Sequence, residues 1–126
     1  MEPAEALRNI AYLSPSSLVI LNLRKVVPFT VFLGKSKYPS LDEILKKLNT
    51  VSSQVIRLDA VQLAEEAGNP ITANIVMLGA SFGTGQIPLK LETIKTVIQS
   101  HFPAKLAPIN IKAFDLGYRA CQQALK

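Results

Sequence analysis

Residues 40–70 read SLDEILKKLNTVSSQVIRLDAVQLAEEAGNP, and this stretch decides the fold. Its opening, Ser40 to Glu43, is a capping box: the Ser40 hydroxyl and the Glu43 carboxylate can each satisfy an orphan backbone donor. Behind it, Leu41, Ile44, Leu45 and Leu48 follow the i, i+3, i+4, i+7 spacing of one helical face. Val51 to Leu58 then reads as a strand, with Val55 and Ile56 at its apolar centre. Asp59 to Gln62 forms a second capping box and opens a helix through Ala67, which Gly68-Asn69-Pro70 stops. A helix, a strand and another helix within about thirty residues argue a layered α/β domain.

Upstream, Leu7, Ile10 and Ala11 make an apolar stripe, so residues 3–13 read as a helix that Ser14 to Ser17 ends. Leu18 to Leu23 is a continuous apolar run of strand length, as in a strand covered on both faces. Val26 to Leu33 is β-branched and aromatic, with Pro28 near its start, and reads as a second strand or an edge. Residues 34–39 form a polar connection. Downstream the character changes. Ile71 to Phe82 is apolar but carries the small residues Ala73, Gly79 and Ala80, as in a helix that another element approaches closely. Gly83 to Pro88 breaks it. Leu91, Ile94, Val97 and Ile98 mark another amphipathic helix, ended by Pro103. Asn110 can cap a final helix with the seam Ile111, Phe114, Tyr118, Cys121 and Leu125. The expected architecture is a three-layer α/β/α domain with a largely parallel central sheet and a helix-rich C-terminal half. No solenoid repeat and no dividing linker appear, so residues 1–126 are expected to form one domain.

Composition narrows the chemistry. The chain has 126 residues, 48% of them hydrophobic and 18% charged, with a net charge of +5. That apolar share excludes a disordered tail, and the low charge excludes a long coiled coil. The single cysteine, Cys121, and single histidine, His101, leave no disulfide framework and no zinc or iron–sulfur ligand set. A serine–histidine–acid site would need His101, which sits at a helix boundary with no GxSxG elbow before it. The run Gly79 to Gly85 invites a phosphate-loop reading. However, no Lys-Ser/Thr follows it and the residues before it look helical, so a helix break explains it better.

The N-terminus, MEPAEALRNI, is acidic and amphipathic rather than a signal peptide, and no apolar run is long enough to span a bilayer. Both readings point to the cytoplasm. Residues 24–47 hold Arg24, Lys25, Lys35, Lys37, Lys46 and Lys47 against Asp42 and Glu43, which is +4 of the chain's +5. Such a segment could meet an anionic ligand or nucleic acid, but a solvated face accounts for the same residues.

Several segments taken together resemble the gamma subunit or gamma domain of 2-oxoacid:ferredoxin oxidoreductases. The nearest likeness is to the beta subunit of the indolepyruvate branch. The carrying residues are Glu2 to Arg8, Tyr12 to Pro15, Leu18 to Asn22, Val27-Pro28, Tyr38-Pro39 leading into Leu41 to Ile44, and Asp59-Ala60 before Leu63-Ala64. Gly68 to Pro70 then leads to Asn74 to Ala80, and the chain closes with Phe102 to Lys105 and Asn110 to Tyr118. They match in order across essentially all of the chain. The opening strand and glycine-rich turn of the family are not matched, so the sequence reads as the C-terminal portion of the gamma domain. Ser81 to Gly85 also departs, where relatives stay apolar.

The resemblance implies an accessory subunit, or part of one, in a complex that oxidatively decarboxylates a 2-oxoacid to an acyl-CoA. Thiamine diphosphate, magnesium and iron–sulfur clusters would sit on partner subunits, with an alpha subunit as direct partner and ferredoxin reached through the complex. No catalytic, cofactor or metal residue is expected in this chain. Asn69, Asn74 and Gly79 are the candidate interface or ligand contacts. Asn74, on an apolar segment, is expected to be a buried amide tying its helix to a neighbouring loop. The isolated chain is expected to be inactive and to self-associate. The competing reading is a free-standing α/β module that binds an anionic ligand or nucleic acid.

Overall fold

The computed structural model describes residues 3–8, 11, 13, 16–23, 40–52 and 54–125. The sequence-derived strand at 26–33, the connection at 34–39 and the basic residues Arg24, Lys25, Lys35 and Lys37 lie outside them. The elements are α1 (Pro3–Arg8), β1 (Leu18–Asn22), α2 (Leu41–Val51), β2 (Gln54–Leu58), α3 (Ala60–Ala67), a 3-10 turn (Pro70–Thr72), α4 (Ala73–Gly83), α5 (Leu91–His101) and α6 (Ala107–Ala124). The fold is α/β, its described strands form one parallel pair, and its C-terminal half is helical. Two compact units divide the chain, Met1–Arg57 and Leu58–Lys126.

In the first unit, parallel β1 and β2 are linked by a crossover that contains α2. The Ser40 hydroxyl accepts the Glu43 amide at 3.2 Å and starts α2, the hydroxyl half of the expected capping box. Ile44 and Leu48 are fully buried against Val19, Leu21 and Ala6, with Leu13, Leu45 and Val55 packed around them. Val19 and Leu21 are the inward pair of β1, while Leu18 and Ile20 alternate with them and stay half-buried. At the end of α2 the buried Ser52 hydroxyl donates to the Ser17 carbonyl, which ties the helix to the entry of β1. The strand expected from Val51 begins at Gln54. Val51 itself is the last residue of α2, whose C-terminal amide bond from Ser52 to Leu48 holds it helical.

The second unit is built around α4 and α6. Small residues let the two backbones meet. A Cβ added to Gly79 would lie 2.0 Å from the Phe114 carbonyl oxygen, and one added to Gly117 would lie 1.9 Å from that of Val76. This is the close approach that the small residues of 71–82 imply, and the partner element is α6. Phe82 and Phe114 pack at 5.5 Å in a tilted pair. Ile98 of α5 completes the core, with Leu91 and Ile94 partly buried beside it. Val97 departs from the expected stripe and is 52% exposed. The Lys95 ammonium meets the Asp115 carboxylate at 2.6 Å and pins α5 to α6, although both groups are about one-third exposed. α3 contributes a face of Ala60, Ala64 and Ala67, which lets it lie close to its neighbours. Its Asp59 carboxylate accepts the Gln62 amide at 3.0 Å.

Two further expectations are corrected at the C-terminus. Asn110 does not cap α6: the helix starts a turn earlier, at Ala107, with Pro108 in its first turn. Its buried face runs Ala107, Asn110, Ala113–Phe114, Gly117 and Cys121. Leu125 falls off that face and past the helix end, 39% exposed.

Candidate functional site

The expected contacts Asn69 and Asn74 share one place in the second unit, a depression of about 360 Å³. Ile71, Thr72, Ile75, Phe102, Leu106 and Asn110 complete its lining. Local chemistry fixes each wall. Gly68, at φ 125°, ends α3 by donating to the Ala64 and Glu65 carbonyls. That left-handed turn is open to glycine without strain. Asn69 then accepts the Ile71 amide through Oδ1 at 3.0 Å, and its own carbonyl accepts the Thr72 hydroxyl at 2.7 Å. Those bonds make the 3-10 turn that holds Ile71 out in solvent, 84% exposed. Across the depression, Phe102 caps α5 and Leu106 precedes α6. Leu106 is 43% exposed.

Asn74 sits in the first turn of α4 and is exposed, which corrects its reading as a buried amide. The apolar character of its segment comes from the opposite face, Val76, Gly79, Ala80 and Phe82. Gly79 is not part of the depression; it lies under α6. Asn110, read from sequence as a cap, is instead a wall residue. It is 95% buried, as its 5% exposure states, and Nδ2 donates to the Leu106 carbonyl at 2.9 Å. No described residue donates to its Oδ1. No buried side-chain oxygen or nitrogen among the described residues is left without a partner, so that oxygen is not fully buried and water reaches it. The sequence signal was its spacing: a carboxamide three residues from Ala107 and Ala113 falls on the buried face.

None of the lining side chains is charged. His101 ends α5, is exposed, and stacks edge-on against Phe102 with ring centroids 5.2 Å apart. The Ser81 to Gly85 run is a helix C-terminus, not an anion cradle. The Thr84 hydroxyl donates to the Ser81 carbonyl at 2.7 Å and accepts the Gln86 amide at 3.1 Å. Carbonyls, with negative partial charge, therefore gather there. Of the basic segment only Lys46 and Lys47 are described, exposed on α2 beside Asp42 and Glu43. Among the described residues no group of three or more His, Cys, Asp or Glu could hold a metal ion. No helix there is long and apolar enough to cross a membrane.

Residues 1–120 match the family described as pyruvate ferredoxin/flavodoxin oxidoreductase. The chain belongs to that family. It is 41% identical over 118 residues to the indolepyruvate oxidoreductase subunit IorB of Archaeoglobus fulgidus, covering 94% of this chain and 59% of the relative. The subunits of the same name from Pyrococcus horikoshii and Thermococcus kodakarensis are 43% and 42% identical over 125 residues, each covering 98% of this chain and 62% of the relative. The chain thus spans about three-fifths of the length of the curated relatives it matches. No solved structure matches it. The donors of this chain do not make an iron–sulfur ligand set. An iron–sulfur cluster takes grouped thiolates, and Cys121 is alone, fully buried between α4 and α6, its thiol pushed up by desolvation.

Proposed function

We propose that this chain is an accessory, noncatalytic part of a 2-oxoacid:ferredoxin oxidoreductase complex of the indolepyruvate type, acting in the cytoplasm. The observation that carries the reading is the family match over residues 1–120, joined by relatives named as indolepyruvate oxidoreductase subunits. The complex would decarboxylate a 2-oxoacid oxidatively to an acyl-CoA. Thiamine diphosphate, magnesium and iron–sulfur clusters would belong to an alpha partner subunit, and ferredoxin would take the electrons there. The donor set of this chain supports that division, because one buried thiol cannot ligate a cluster. Here the chain contributes packing and docking surface, and Asn69, Asn74 and Gly79 serve those roles rather than catalysis.

The test is reconstitution. The chain should copurify with a thiamine- and cluster-containing subunit, and that complex should reduce ferredoxin with a 2-oxoacid. The chain alone should reduce no acceptor. Turnover by the metal-free chain, or a fully active and stable partner subunit without it, would overturn the proposal.

A further inference from the structure

We draw no further inference here: the strongest candidate, the groove along α6 from Pro108 to Arg119, where the exposed Lys112 and Arg119 flank the half-buried Ile111 and Leu116, carries nothing, because a solvated helix face accounts for the same residues and nothing in the structure shows what covers it.

Discussion

At the residue scale, the strongest constraints are places with no room. Gly79 and Gly117 face backbone carbonyls at distances no Cβ can adopt, and backbone cannot swing aside as a side chain can. Gly79→Ala or Gly117→Ala must push α4 and α6 apart, and should each cost about 3 kcal/mol, lowering the melting temperature by about 10 °C. Gly85 is the contrast. Nothing lies within 4 Å of a Cβ built there, but its φ is 73°. Gly85→Ala should therefore cost only about 1 kcal/mol, from backbone strain alone. Thermal melts of the three variants check both values, and equal losses would contradict the steric account. Cys121 gives a pH-dependent case. Burial disfavours its thiolate, so the folded thiol titrates above its ordinary value. A neutral acid with a raised folded value contributes stability that is complete below the unfolded thiol's own range. That contribution is lost as pH rises beyond it. Iodoacetamide should leave Cys121 unmodified at neutral to mildly alkaline pH in the folded chain, and label it readily in denaturant. Rapid labelling of the folded chain would show an open thiol.

At the element scale, the caps carry the legible part of the fold. Ser40 and Asp59 each accept an amide at the third residue beyond, as the spacing of their motifs requires. Ser40→Ala and Asp59→Ala should each lower stability by about 1 kcal/mol. The double variant should be close to additive, since the two caps serve different helices. Denaturant midpoints measure this, and a loss below a few tenths of a kcal/mol would mean the helices are set by packing instead. The stripe on α2 was readable because one helix face meets one core, so period and burial coincide in Ile44 and Leu48. The start of α6 was not readable. Asn110 has the chemistry of a cap, but Pro108 suits a first turn, and the buried face from Ala107 fixes the frame. Tertiary packing outweighed the local signal there. The α4–α6 crossing lies between these cases. Gly79 announced a close approach in the sequence, whereas its counterpart Gly117 is intelligible only once the two helices are seen to meet. The depression was half legible for the same reason. Asn69 and Asn74 are near neighbours in sequence, but Phe102, Leu106 and Asn110 join them only through the packing of α6.

At the scale of the whole molecule, the first unit carries the remaining prediction, self-association of the isolated chain. In β1, Val19 and Leu21 are buried, but Leu18 and Ile20 on the other face are only half-covered, and Leu23 just beyond is also half-buried. A strand apolar on both faces is at home between two layers rather than at a wet surface. Each half-covered aliphatic side chain leaves part of the roughly 1.5–3 kcal/mol of full burial unrealised. A contact between two such faces recovers some of it, and strands with open apolar faces recruit other chains. The isolated chain should therefore dimerise, or assemble further, through the first unit. Light scattering across a dilution series should show a mass above the monomer that falls on dilution. Ile20→Thr should shift that midpoint to higher concentration, because it keeps β-branching while making the half-covered face polar. Ile71→Lys, in the second unit, should leave the midpoint where it is. A monomer mass at every concentration, together with one cooperative melt, would show that the strand is already sufficiently covered. That outcome would remove the case for self-association.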